Sequence, residues 1–448
     1  MQAARRVAYD VLRAVHESDG YANLLLPVKL HDAGLNEADA GLATELTYGT
    51  LRRQGYYDRI IELASGRPLT KIDPEVLDAL RLGVHQLIGM RVAAHAAVDE
   101  SVALVAAAGK RSATGFANGV LRSISRGTAE QWRARALDGL VGDARLAMEH
   151  AHPLWVVEGF RAALAAEGRA DQLSDLLQAD NEAPRVSLVA LPGLATPDEV
   201  GEPGAVSPVA ARSAGGDPSG NPLVASGRAR VQDEGSQLAA LALSRARPIV
   251  AGERWLDLCS GPGGKAAVLA AEALIGGAVL LANELIPTRA RLVRNALAVF
   301  DQPPEVVEGD GRRFVEGDER FDRILLDAPC TGLGALRRRP EARWRKRPSD
   351  LDELTALQTQ LLDAAIHALA PGGLIAYVTC SPHLDETREV VAGALNRHPD
   401  IAALDTPALL AGIATGDLDL PTASHAQLWP HRHGTDAMFI QLMAKVEA

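Results

Sequence analysis

The chain has 448 residues, 47% of them hydrophobic and 23% charged, with a formal net charge of −11. A single core cannot absorb that length, so roughly two to four domains are expected, and the acidic balance excludes a protein that coats nucleic acid indiscriminately while leaving room for local basic patches. No apolar run reaches the ~18 residues needed to span a bilayer, and the charged opening MQAARRVAYDVLRAVHESDG is no signal peptide, so a cytoplasmic monomer with no membrane partner is expected.

From Ala4 to about Arg126 apolar residues recur at helical spacing (Val7, Val11, Leu12 and Val15; Leu51, Ile60, Ile61 and Leu63; Leu80, Leu82, Leu87 and Ile88). Breaks such as SGRPLT and GLNEADA supply turns and caps. An all-helical domain of roughly five to seven helices is predicted over 1–127. Residues 128–235 read as a linking α+β region, with helical segments first and VSLVAL and RARVQDEG as candidate strands. Its stretch 191–227, rich in Pro, Gly, Ser and Ala, reads as loop or flexible insert.

From about Pro248, strands and helices alternate through RWLDL, GGKAAVLAAEALI, AVLLANE, PTRARLVRNALAVF, PEVVEGD, FDRILLDA, a long helix from SDLDELTALQTQ onward, LIAYVTC, ETREVVAGALNRH and AMFIQLMA. The long helix is expected to be capped by Ser349 or Asp350 and stopped by the PGG that follows. Such alternation predicts an α/β domain over 236–448 with a parallel, doubly wound sheet, whose ligands lie beyond the carboxyl ends of the strands.

The three cysteines, Cys259, Cys330 and Cys380, are odd in number and lack a CxxC pair, so neither a disulfide framework nor a metal site is indicated. All three fall at predicted strand ends, after RWLDL, ILLDAP and LIAYVT. His425, His431 and His433 fit no metal-site spacing and read as a solvated loop.

LDLCSGPGGK is a strand, a glycine turn and a helix start, where close backbone approach and N–H groups hold a polar ligand. Gly261, Gly263 and Ala266 satisfy GxGxxA, and Glu284 lies 23 residues beyond Gly261 at the end of the next strand, where an acid grips ribose hydroxyls. On these features alone a nicotinamide dinucleotide and S-adenosylmethionine compete. Two further acids end strands, Asp310 and Asp327, and two thiols stand 50 residues apart at strand ends. Hydride transfer has no use for that set. Methylation of carbon 5 of a pyrimidine does, because that carbon becomes nucleophilic only when a thiolate has added to carbon 6.

Immediately after DAPC, the run LRRRPEARWRKRP carries seven basic side chains, Arg337, Arg338, Arg339, Arg343, Arg345, Lys346 and Arg347, beside Trp344. Such a run usually covers a solvated loop. Here it follows a thiol at a reaction centre, which points to phosphate contacts with RNA.

The stretches LDLCSGPGGK, NELIPTR, GDGR, FDRILLDAPCTG, the basic run, YVTCS and GTDAMF, in this order, resemble the bacterial 16S rRNA cytosine-C5 methyltransferase B family, within the wider RNA 5-methylcytosine methyltransferases. They cover most of residues 230–445. ATELTYGTLRRQGYYD and FANGVLR are similar to the helical RNA-binding domain related to the antitermination factor NusB. The resemblance implies a Rossmann-like methyltransferase domain, S-adenosylmethionine as cofactor and small-subunit rRNA as partner. It implies Cys380 as nucleophile and Cys330 as the thiol that assists release, two roles that the residues alone leave interchangeable. By the same carry-over, Cys259, Ser260, Gly261, Pro262, Gly263, Gly264 and Lys265 wrap the cofactor, Glu284 binds its ribose, Asp310 lies by the adenine and Asp327 sits between the methionine end and the base. Lys265 orients the base or tunes a thiolate. Departures from the family pattern are Ser260 for alanine, DAPCT for DAPCS and Glu284 for aspartate.

Rival readings are the same chemistry on another RNA such as tRNA, a nicotinamide-dependent oxidoreductase using Glu284, and a non-catalytic RNA-binding factor.

Overall fold

The computed structural model describes residues 2–18 and 20–446, and the chain divides into two compact units. The first comprises Met1–Glu158, Leu173–Ala183 and Leu336–Arg345; the second holds Gly159–Gln172, Pro184–Ala335 and Lys346–Ala448.

The first unit is helical. Seven α-helices, Ala3–Glu17, Ala22–Asp32, Glu37–Arg52, Gln54–Ser65, Pro74–Val84, Ala94–Ala107 and Thr114–Ile124, lie in the part predicted to be all-helical. The predicted stripe is the core stripe: Val11, Leu12, Leu51, Ile60, Ile61 and Leu80 are wholly buried, each removing side-chain apolar surface worth about 1.5–3 kcal/mol. Leu87 and Ile88 are only half-buried, because the helix from Pro74 ends in a π-helical turn, His85–Gly89, which shifts the phase of the stripe. Asn36 accepts a hydrogen bond from the Asp39 N–H, and Thr128 forms a reciprocal cap with Gln131, fixing two helix starts.

Leu336–Arg345, the first part of the basic run, folds with this helical unit. Arg343 is fully buried; its Nη1 donates to the carbonyls of Arg52 (3.2 Å) and Ala151 (3.1 Å) and to Asn181 Oδ1 (2.8 Å), and its Nη2 donates to the Asp180 carbonyl (3.1 Å). Trp344 Nε1 donates to the Leu51 carbonyl at 2.9 Å, and the indole lies so close to Gly55 that a side chain there would strike it. Arg345 donates to the Val15 carbonyl at 2.8 Å, and Glu341, also buried, accepts from the Ala22 N–H at 3.2 Å.

In the second unit, β1 (Ser187–Ala190) and β4 (Ala229–Val231), within the candidate strands VSLVAL and RARVQDEG, form a small antiparallel sheet with β2 (Glu202–Pro203) and β3 (Ala210–Arg212), which lie in the stretch predicted as loop or flexible insert; the order is β2-β3-β1-β4. The two strands inside that stretch are two and three residues long, too short for alternation to show through its Gly- and Pro-rich composition.

The main sheet comprises β5 (Arg254–Asp257), β6 (Val279–Glu284), β7 (Glu305–Glu308), β8 (Phe321–Asp327), β9 (Leu369–Thr379), β10 (Ile401–Ala403), β11 (Ala426–Gln427) and β12 (Phe439–Lys445). Its order is β10-β12-β9-β8-β5-β6-β7, with β11 paired to β12. The pairings from β7 through β9 are parallel, as predicted. The late strand is not: β12 enters antiparallel between β9 and β10. Strands β8 and β9 read as nearly continuous apolar runs because helices cover both faces of the sheet. The alanine-rich helix Gly264–Gly276 buries Ala266, Ala267, Val268 and Leu269 completely.

The long helix spans Ser349–Ala368, but neither Ser349 nor Asp350 caps it; Pro348 occupies the cap position and Asp350 accepts from the Arg347 N–H at 3.1 Å. The PGG lies within the span of β9, which begins directly after the helix.

Candidate active site

Chain order reverses between β5 and β8, because the connection after β5 runs toward β6 and that after β8 toward β9. A crevice opens at such a switch point. Every sequence-predicted cofactor and catalytic residue lies at the carboxyl end of β5, β6, β7, β8 or β9, in the loop that leaves it or at the start of the helix that follows.

The loop after β5 is held from below and from the side. Asn283, buried on β6, donates to the carbonyls of Leu258 (2.9 Å) and Gly309 (3.1 Å), tying three strand ends together. Its own carbonyl accepts from the Ser260 N–H and hydroxyl, both at 2.9 Å. Glu284 is buried; Oε2 accepts from the Gly261 N–H and Oε1 from the Ile286 N–H, both at 2.9 Å. Arg289 donates to the Gly261 carbonyl at 2.6 Å. A Cβ on Gly261 would lie 2.2 Å from Glu284 Oε2, so only glycine fits. Gly263 has φ +103°, and a Cβ there would lie 2.6 Å from Ala296 Cβ. The Gly261–Pro262 peptide is cis.

Two buried polar groups beside this loop have no hydrogen-bond partner: both carboxyl oxygens of Asp257, and both amide atoms of Gln232, which lies about 3.6 Å from where a Gly264 Cβ would be. Orphaned groups at the mouth of a glycine cradle are what a bound polar cofactor would satisfy. Burial first, then the Asp327 carboxylate, pushes the Asp257 carboxyl up to about 8. Burial likewise keeps the Cys259 thiol protonated, reinforced by the Asp257 and Asp327 carboxylates. Asp310, by contrast, is partly exposed and joined to Arg312 through both carboxyl oxygens.

Beyond this cradle, Lys265 Nζ donates to Asp327 Oδ2 at 2.7 Å. Burial disfavours the ammonium, but Asp327, Cys380 and Asp257 together raise its pKa above the usual lysine value. The register that sets Asp327 beside Val378 places the two cysteine loops side by side. The sulfurs of Cys330 and Cys380 are 3.5 Å apart, and none of the three cysteines is in a disulfide. The hydrogen bond to Cys380 and burial raise the Cys330 thiol well above its ordinary value, with Glu386 and Asp327 adding to the effect, so it keeps its proton.

The loops are locked to one another by residues the sequence did not single out. Gly334 N–H donates to the Cys380 carbonyl at 2.8 Å, and a side chain at Gly334 would collide with the Ala437 carbonyl. Glu386, wholly buried, accepts from the Thr331 N–H (2.7 Å), the Thr331 hydroxyl and Gln358 Nε2 (3.1 Å). Gln358 also donates to the Pro329 carbonyl at 2.8 Å, and Tyr377 donates to the Glu386 carbonyl at 2.7 Å. In sequence, Glu386 looked like a helix-start acid and Gln358 like an ordinary position on a long helix.

The basic run is only partly available to a ligand. Arg339 and Arg347 are exposed and Arg338, Arg345 and Lys346 half-buried, whereas Arg337 and Arg343 are buried. Arg343, predicted to touch phosphate, is consumed by carbonyls of the helical unit, and burial lowers its pKa to about 10. The histidine segment is likewise no solvated loop: His433 is buried, accepting from the Trp429 N–H at 2.7 Å and facing the Leu418 carbonyl at 2.6 Å. No helix among the described residues is long and apolar enough to cross a membrane.

Comparison with known proteins agrees with this geometry. Residues 247–444 match the family described as 16S rRNA methyltransferase RsmB/F, and residues 2–126 match the NusB family. The chain is 46% identical to a Mycobacterium tuberculosis protein named only as a methyltransferase, over all of this chain and 97% of the relative. It is 31% identical to the ribosomal RNA small subunit methyltransferase B of Erwinia tasmaniensis, with 99% of each chain covered. Its fold is that of the crystal structure of PH0851, with a TM-score of 0.82 at 22% identity, covering 99% of this chain and 98% of that one. The cofactor is therefore S-adenosylmethionine, and the nicotinamide and non-catalytic readings are set aside. The chain belongs to the 16S rRNA methyltransferase RsmB/F family and is an S-adenosylmethionine-dependent RNA methyltransferase with an N-terminal NusB-family domain.

Proposed function

We propose that the enzyme methylates carbon 5 of a cytosine in 16S rRNA through a covalent bond between Cys380 and carbon 6 of the base. The single observation that carries this reading is the pair of sulfurs 3.5 Å apart at the ends of adjacent strands, beside the Lys265–Asp327 ion pair. The substrate follows from the names of the family and of full-length relatives.

The stretch from Cys259 to Lys265 holds the cofactor with Glu284, Asp310 and Asp327, and Asp257 and Gln232 complete the polar lining. S-adenosylmethionine supplies an electrophilic methyl group. Carbon 6 of a base inside a helix cannot be reached, so the target cytosine is unpaired or turned out of its stack. The Cys380 thiolate adds to carbon 6 while ring nitrogen 3 takes up a proton from water and donates the resulting N–H to the Asp327 carboxylate, making carbon 5 nucleophilic. The Lys265 ammonium, which feels the Cys380 sulfur, favours the thiolate. After carbon 5 has gained its methyl group, its proton passes to water, the pair left behind re-forms the 5,6 double bond and the carbon–sulfur bond breaks. Cys330, still a thiol, meets the departing Cys380 sulfur with its S–H. Arg339 and Arg347, the exposed members of the basic run, contact RNA phosphates.

Purified enzyme, labelled S-adenosylmethionine and unmodified 16S rRNA are expected to give labelled 5-methylcytidine on digestion. Cys380→Ala is expected to abolish it, and Cys330→Ala to leave RNA covalently attached on a denaturing gel. Label on another nucleoside, or an adduct with Cys380→Ala instead, overturns the assignment.

A further inference from the structure

We infer that Glu386 is a positioning residue for Cys330, holding that thiol against the Cys380 sulfur for the step that releases methylated RNA. The inference rests on the roles proposed above for the two cysteines. Glu386 follows Cys380 in the chain and touches neither sulfur in any hydrogen bond. It acts on the residue after Cys330: both of its carboxyl oxygens are engaged by Thr331, one by the backbone N–H at 2.7 Å and the other by the hydroxyl. Two parts of one residue are gripped, so the peptide following Cys330 can neither slide nor rotate. The same hydroxyl lies 3.1 Å from Ser381 Oγ, next to Cys380, so the clamp spans both cysteine loops. Gln358 braces it from the long helix, touching Glu386 at 3.1 Å and the Pro329 carbonyl at 2.8 Å, and the Tyr377 hydroxyl holds the Glu386 backbone at 2.7 Å.

This carboxylate is completely excluded from solvent, and no arginine or lysine pairs with it among the described contacts. A buried acid answered by N–H and O–H donors alone is costly to keep for packing, since a well-packed apolar side chain would fill the space at least as well. What it supplies is aim. A thiol that must meet a departing sulfur 3.5 Å away has little tolerance, and displacement by about 1 Å can cost on the order of a hundredfold in rate.

The test measures covalent adduct and turnover in full-length variants with unmodified 16S rRNA, with Cys330→Ala as reference. Glu386→Ala is expected to bind S-adenosylmethionine within about twofold of wild type, to form the adduct, and to release it at least about tenfold more slowly. Glu386→Gln keeps the acceptor for the Thr331 N–H and is expected to recover most of the release rate. Thr331→Val, which keeps the shape and removes one half of the grip, is expected to trap a smaller fraction and to combine non-additively with Glu386→Ala. If Glu386→Ala and Thr331→Val release product at the wild-type rate, or if cofactor binding, adduct formation and release all fall together, Glu386 has no positioning role. If Cys330→Ala itself traps nothing, the cysteine assignment beneath the inference fails and takes it down as well.

Discussion

Lys265 Nζ sits 2.7 Å from Asp327 Oδ2, joining the helix that starts at the glycine loop to the strand that ends in DAPC. Asp257 is a second acidic neighbour of this lysine, which faces both carboxyl groups. Lys265→Met should reduce single-turnover methyl transfer by about 100-fold or more, because the partly buried pair is broken and Cys380 loses its nearby positive charge. Lys265→Arg retains the charge without the reach of an ammonium and should fall between. Stopped-quench kinetics at saturating cofactor would measure both; an unchanged rate in Lys265→Met would show that the pair is only structural.

Asp257 makes stability depend on pH in a defined direction. Its pKa is raised from the usual 3.8 to about 8, so between those values the folded protein binds a proton that the unfolded chain has lost, and stability falls as pH rises through that window. Asparagine cannot ionise. Asp257→Asn should therefore be more stable than wild type at pH 8, by about 1–3 kcal/mol, with the difference shrinking toward pH 5. Denaturant melts of both proteins at the two pH values would decide it. A difference independent of pH would mean that the carboxyl does not titrate in this range.

Gly261→Ala places a methyl group 2.2 Å from Glu284 Oε2, and the atom in the way is already bonded to the loop it would displace. Cofactor affinity should fall at least about tenfold, and the local rearrangement should cost about 1–3 kcal/mol. Isothermal titration with S-adenosylmethionine reports the first and thermal melting the second.

Two arginines four residues apart in the basic run should behave in opposite ways. Arg343→Lys leaves several buried carbonyls and Asn181 without donors and should destabilise the helical unit by about 2–4 kcal/mol. Under conditions where it is folded, the salt dependence of its RNA binding should match wild type. Arg347→Ala, at an exposed site, should leave stability within about 0.5 kcal/mol and lower the slope of log affinity against log salt by about one. Urea melts and salt-titrated RNA binding would separate the two.

Much of the site was legible because a parallel sheet advertises itself. Strands such as FDRILLDA and LIAYVTC are buried on both faces, so they stand out as apolar runs whose ends mark where Asp327, Cys330 and Cys380 sit. The helical stripe through Val11, Leu12 and Leu80 was equally plain, until a π turn moved its phase. Charge content was a poorer guide. An arginine satisfied by carbonyls and one facing water have the same letter, so Arg343 and Arg347 could not be told apart. Nor could Glu386 be found, because its meaning lies in a contact with Thr331, 55 positions away in sequence. Between Ser187 and Val231, β1 and β4 fall within the candidate strands VSLVAL and RARVQDEG, whereas β2 and β3, at two and three residues, were too short to show a period.

The ten residues Leu336–Arg345 belong to the helical unit although the ribosome makes them long after the rest of it. Between Glu158 and Leu336 the chain must grow by 178 residues, roughly 10–35 s of synthesis. Throughout that interval the nascent helical unit waits without Trp344 against Gly55 and without Arg343 to occupy the carbonyls of Arg52, Ala151 and Asp180. The last packing of the helical unit thus waits on synthesis of much of the other unit, and a fragment cut at Glu158 lacks these contacts.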